Sequence, residues 1–160
     1  MREKFGTIKG QKVTLVGDIK HSRVARSNLW GLIKLGAEVS VVGPQTLLPK
    51  GINELGCEVY TDIEEAIIGA NVVMGLRLQL ERQKSGLFPS KSEYAELFAV
   101  TSEKIANCCP DALVMHPGPV NRGIEIGSDV TDGANSVIEE QVTNGVAVRM
   151  AVMDILAGGR

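Results

Sequence analysis

Short runs of apolar and β-branched residues alternate along the chain with stretches whose apolar positions recur at helical spacing. Lys12–Gly17 (KVTLVG), Glu38–Val42 (EVSVV), Glu58–Thr61 (EVYT), Asn71–Leu76 (NVVMGL) and Ala112–His116 (ALVMH) predict five strands. Ser22–Leu35 places Val24, Leu29, Leu32 and Ile33 at helical intervals, and Gly36 suits the position after a helix end. Ile52–Leu55 predicts a weak helical turn before Gly56. Asp62 can cap a short helix over Ile63–Ile68, and Glu93–Val100 and Ser102–Cys108 are helical in pattern. Glu81–Ser92 is polar, carries Gly86 and Pro89, has no clear period and predicts a mobile loop. Pro117–Asn135 is turn-rich. Two helical segments follow, Ser136–Thr143 and Val146–Leu156, broken at Asn144-Gly145.

Five buried strands separated by helices predict an α/β fold, a doubly wound (Rossmann-like) five-stranded parallel sheet flanked by helices. The 160 residues fit a single domain with a real core. In such sheets ligands bind beyond the carboxyl ends of the strands. The segments that matter therefore follow Gly17, Leu76 and His116.

Composition narrows the classes. A net charge of −2 gives no basic excess for nucleic acid, and 4% aromatic residues leave little for base stacking. The longest uncharged apolar run falls well short of the roughly 18 residues that a spanning helix needs. The opening MREKFGTIKGQK is polar and has no secretory h-region, so the cytoplasm is the expected location. Three cysteines, two of them adjacent, suggest neither a disulfide framework nor a zinc site. They read as small buried apolar residues.

The first strand runs into Asp18-Ile19-Lys20-His21-Ser22-Arg23. Three potential cations just before a helix N-terminus suit an anion, and equally a solvated loop of ordinary charges. A dinucleotide site would need GxGxxG in this turn and an acid closing the second strand; neither is present. The fourth strand runs into Arg77-Leu78-Gln79-Leu80-Glu81. In an extended chain Arg77 and Gln79 share a side, where a guanidinium suits a carboxylate and an amide suits an amine. An edge network of salt bridges is the plainer reading. The fifth runs into His116-Pro117-Gly118-Pro119, a stiff turn poor in N–H donors and rich in free carbonyls. Together these segments predict a small ligand bearing carboxylates and an amine.

GDIKHSRVARSN, LRLQLER, MHPGPVNRGIEI and SVIEEQVTNGVAVRMA, in this order and spacing, resemble the C-terminal half of the aspartate carbamoyltransferases over nearly the whole chain. The resemblance implies one aspartate-binding domain over 1–160, without the family's N-terminal carbamoyl phosphate-binding domain. It implies that Arg23 binds aspartate on the α-carboxylate side, that Arg77 binds the side-chain carboxylate and that Gln79 helps to orient the substrate. It further implies that backbone carbonyls of Gly118 and Pro119 hold the amino group of carbamoyl phosphate, on a turn shaped by His116 and Pro117. The loop after Arg82 corresponds to the family's mobile loop. The family reaction carbamoylates L-aspartate in pyrimidine biosynthesis and requires neither metal nor organic cofactor.

The family's Ser-Thr-Arg-Thr phosphate loop has no counterpart here, so the resemblance implies no complete catalytic set in this chain, and inactivity without the other half. The apolar residues of Val146–Leu156 would lack part of their cover, which predicts an exposed patch and self-association or a complementary chain. Two alternatives stand beside this reading. An ornithine-type carbamoyltransferase resembles it, but that family carries a cysteine in the turn that here reads HPGP. A non-catalytic amino-acid-binding module is the other.

Overall fold

The computed structural model describes residues 1–78 and 90–158. Five strands, β1 (Lys12–Val16), β2 (Glu38–Val42), β3 (Glu58–Tyr60), β4 (Val72–Gly75) and β5 (Leu113–Met115), pair in the order β3-β2-β1-β4-β5, every pair parallel. The helices are α1 (Arg2–Phe5), α2 (Arg23–Lys34), α3 (Ile63–Ile67), α4 (Lys91–Phe98), α5 (Ser102–Cys108), α6 (Ser128–Thr131) and α7 (Ile138–Leu156). The expected doubly wound architecture is present. Tight 3-10 turns occupy Gln45–Leu47 and Ile52–Leu55.

Burial on both faces explains why the strands read as nearly unbroken apolar runs. Val13 and Leu15 of β1 and Met74 of β4 pack with Ala25, Leu29 and Leu32 of α2. Val16 and Val73 point the other way, into a second core with Ile63 and Ile67 of α3, Tyr94 and Phe98 of α4, and Ile105 of α5. Thr14 is the polar exception in β1. Its buried hydroxyl donates to the Ala66 carbonyl at 2.9 Å and lies 2.8 Å from the Ser40 hydroxyl, so the interior position stays hydrogen-bonded.

Helix starts follow their caps. Ser22 Oγ accepts from the Ala25 amide at 3.1 Å, and Asp62 Oδ1 from the Glu64 amide at 2.8 Å. Ser90 caps α4, which starts at Lys91 rather than Glu93 and ends before Val100. Of the segment expected as a mobile loop, residues 81–89 lie outside the described residues. Cys57 and Cys109 are buried and Cys108 is half-buried, with burial pushing the Cys109 thiol up to about 11. No helix of the described residues is long and apolar enough to cross a membrane.

The expected break at Asn144-Gly145 is absent. α7 runs unbroken through both residues, which lack the clashing ring of a proline and cost only about 1 kcal/mol or less each in helix propensity. Its first turn is anchored: Ile138 is buried, and the Lys4 ammonium reaches Glu140 at 3.1 Å. Beyond this turn the anticipated apolar patch is present. Val142, Val146, Met150, Met153 and Leu156 form a stripe at helical spacing, and Leu156 is 81% exposed. Nothing lies within 4 Å of where a Cβ on Gly145 would sit. Gly145→Ala is therefore expected to strengthen α7 and slow its local amide hydrogen exchange roughly fivefold, the factor that about 1 kcal/mol represents. Faster exchange would place a helix break there after all.

Candidate functional site

The strand order reverses direction between β1 and β4, which makes their carboxyl ends the topological switch point. The backbone closes tightly there. The Leu76 amide donates to the Val16 carbonyl and the Gly17 amide to the Val42 carbonyl, both at 2.8 Å. Gly17 has φ +124°, and a Cβ on it would stand 2.9 Å from Tyr94 Oη and 3.1 Å from the Leu76 carbonyl oxygen. Only glycine fits between the two exits.

Past Gly17, Asp18 turns inward and is fully buried. Its carboxyl accepts from the His21 amide at 3.1 Å and lies 2.9 Å from His21 Nδ1. That contact folds the loop into the N-terminus of α2. The three cations proposed from sequence are thereby separated. His21 is held by Asp18. Lys20 lines a different cleft of about 1170 Å³ over the ends of β2 and β3, together with Lys50 and Tyr60. Arg23 heads α2 with its side chain exposed.

Arg77 leaves the adjacent strand two residues after β4 and is half-buried. Gln79, the amide expected to work with it, lies outside the described residues. The third segment follows β5, the next strand in the sheet. Pro117 and Gly118 are half-buried, Pro119 is exposed and the Gly118–Pro119 bond is cis. Neighbouring strands lie about 4.8 Å apart, so the exits of β1, β4 and β5 fit within roughly 10 Å along one sheet edge. The Asn121 side-chain amide contacts the Leu78 carbonyl at 3.5 Å, which joins the last two segments.

Beneath this edge lies a buried polar centre that the sequence reading did not identify. His116 is fully buried and faces Glu125, which is 1% exposed. Tyr94 lies 2% exposed beside them. Its phenol is pushed far above the ordinary tyrosine range, by burial first and then by the charges of Glu125 and Asp18. The available signal for Glu125 was a lone acid between Ile124 and Ile126. Tyr94 gave none, because an aromatic on a helix reads as core. Among the described residues no cluster of three or more metal-ligating side chains occurs.

The sequence profile described as "Aspartate/ornithine carbamoyltransferase, Asp/Orn binding domain" matches residues 9–156. The chain is similar to the aspartate carbamoyltransferase catalytic subunit of Endomicrobium trichonymphae, 62% identical over 98% of this chain and 50% of that protein. It is 59% identical to that of Ruminiclostridium cellulolyticum over 96% of this chain and 49% of that one. It thus spans about half the length of these relatives. Ornithine carbamoyltransferase from Pyrococcus furiosus superposes with a TM-score of 0.81 at 31% identity, over 99% of this chain and 53% of that one. The M. jannaschii aspartate transcarbamoylase catalytic subunit superposes at 0.73 with 29% identity, over 95% of this chain and 50% of that one.

The buried phenol has a measurable consequence. Unfolded, Tyr94 ionises near its ordinary 10.0, whereas folded it stays neutral well above that. Fold stability is therefore expected to fall as pH rises above about 10, because only the unfolded chain releases this proton there. Tyr94→Phe should flatten that part of the stability profile. An unchanged alkaline slope in denaturant titrations would refute the assignment.

Proposed function

The chain belongs to the aspartate/ornithine carbamoyltransferase family, and from that premise we propose that it is the L-aspartate-binding half of an aspartate carbamoyltransferase. In this reading the aspartate amine attacks the carbonyl carbon of carbamoyl phosphate. A C–N bond forms, the C–O bond to phosphate breaks, and the nitrogen proton is lost as phosphate departs. The products are N-carbamoyl-L-aspartate and phosphate, for pyrimidine synthesis in the cytoplasm. The task is orientation and charge stabilisation, supplied by fixed groups, without a cofactor.

The observation that carries the reading is that two arginines leave the adjacent strands flanking the switch point. Arg23 stands at the head of α2, the helix that follows β1, and Arg77 just past β4, so the topology sets both beyond the carboxyl ends of the two strands at the switch point. Neither is turned wholly into the interior. A pair of guanidinium forks across one crevice suits a short dicarboxylate, each gripping one acid group bidentately. Gln79 assists, and the carbonyls of Gly118 and Pro119, on the turn shaped by His116 and Pro117, hold the amino group of the second substrate. Ornithine fits less well, because its side-chain ammonium would meet the Arg77 guanidinium.

The uncovered stripe of α7 supports a chain that works with another half. Its apolar arc is too long and too continuous for a helix meant to stand in water, so we assign its cover to the phosphate-binding half or, without that, to another copy of this chain.

Supplying a phosphate-binding half in trans should give carbamoyl aspartate from carbamoyl phosphate and L-aspartate, where this chain alone gives none. Ligand binding without turnover in the mixture would favour a binding module instead. In the complete assembly, Arg77→Lys should weaken aspartate binding about tenfold or more while the fold melts at its usual temperature, because lysine loses the planar fork. Calorimetry with unchanged aspartate affinity would count against the two-arginine arrangement.

A further inference from the structure

The turn after β5 is closed from behind by two buried side chains, His116 and Glu125. His116 Nδ1 accepts a hydrogen bond from the Gly118 amide at 2.9 Å. A ring nitrogen that accepts carries no proton, so the neutral imidazole holds its proton on Nε2. That atom faces Glu125 Oε1 at 3.4 Å. The same Oε1 accepts from the Asn121 amide at 2.6 Å. Gly118 and Asn121 lie at the two ends of the Gly118–Asn121 stretch, and Pro117 and Pro119 offer no amides of their own. The relay therefore engages an amide at each end of this stretch.

The relay also acts on the electrons of the turn. The Gly118 N–H belongs to the same peptide group as the Pro117 carbonyl. Drawing on that N–H leaves more negative charge on that oxygen, and the Glu125 charge 3.4 Å from Nε2 acts on the ring through space. A carboxyl facing Nε2–H strengthens Nδ1 as an acceptor. Neither Glu125 Oε2 nor His116 Nε2 has a hydrogen-bond partner among the described residues, although both are buried. Bracing alone would not require an acid with a spare oxygen there, since an amide could accept from Asn121 equally well.

We infer that Glu125, acting on His116, is a positioning residue that polarises the Pro117 carbonyl and fixes the turn that aims the Gly118 and Pro119 carbonyls at the amino group of carbamoyl phosphate. The inference rests on the functional reading above and deepens it. Glu125→Gln keeps an acceptor for Asn121 and removes the charge. His116→Asn keeps an acceptor near Nδ1, whereas His116→Gln keeps a donor near Nε2 and loses the acceptor.

The test has two arms. In this chain, nitrogen NMR of the His116 ring should report the Nε2-protonated neutral tautomer; an Nδ1-protonated ring or an imidazolium overturns the relay. In the complete enzyme, Glu125→Gln should raise the KM for carbamoyl phosphate about tenfold, the scale of one charge-assisted hydrogen bond, with the aspartate KM within about twofold. His116→Gln should cost more than His116→Asn. Equal shifts in both KM values, or a lowered melting temperature with no KM split, overturn the inference while leaving Arg77 and the functional reading standing. If the wild-type assembly transfers no carbamoyl group at all, the functional reading fails and this assignment fails with it, whatever the ring reports.

Discussion

Everything at the candidate site depends on how closely the backbones leaving β1 and β4 approach one another. The ladder continues past the strands proper, through the amides of Leu76 and Gly17, and a missing Cβ lets Tyr94 close over the junction. That junction sets the spacing of the two segments beyond it: the Asp18-pinned loop carrying Arg23, and the extended exit carrying Arg77. A side chain at Gly17 would push against the phenol and the Leu76 carbonyl, and the crevice would widen at its floor. Positioning by rigid backbone suits chemistry in which orientation carries most of the load.

Under the crevice floor sits an unusual amount of buried polarity for a sheet this small. Asp18, Tyr94, His116 and Glu125 are all almost wholly removed from solvent. Each side of the edge is thus tied down by an internal acid, Asp18 below the first loop and Glu125 below the last. Buried acids are costly unless hydrogen-bonded, so their presence marks places where the backbone above must hold one conformation. The exposed bidentate pair of Arg122 with Asp132, at 2.7 and 2.9 Å, is a contrasting case. It staples the same loop from outside, where water screens it and its contribution is small.

Much of the fold was legible because two-sided burial writes itself as unbroken apolar runs. β2 and α5 were read with the bounds they have, and Asp62 caps α3 as expected. The misreadings have physical causes. Asn144-Gly145 looks like a break because propensity is a local quantity, and a difference of about 1 kcal/mol does not stop a helix of this length. Ser128–Thr131 was lost inside a turn-rich segment because one helical turn has too little periodicity to see. The segments to inspect came from the rule that ligands bind beyond the carboxyl ends of parallel strands, whereas the strand order that makes β1 and β4 the switch point is visible only in the structure. Glu125 escaped because its work is done through His116, and nothing in a linear pattern shows which histidine an acid will face.

The uncovered length of α7 carries one more consequence. A helix gripped at a single end draws most of its order from local propensity, and it frays from the free end inward. Whatever docks against its stripe must therefore first recruit a straight rod from a fluctuating one. Cohesion with the docking body and rigidity of the rod then rise and fall together. The Gln141 side chain, which accepts from the His116 amide at 3.0 Å, stands at the fixed end of that rod. It couples the stiffness of the tail to the residue behind the proline turn.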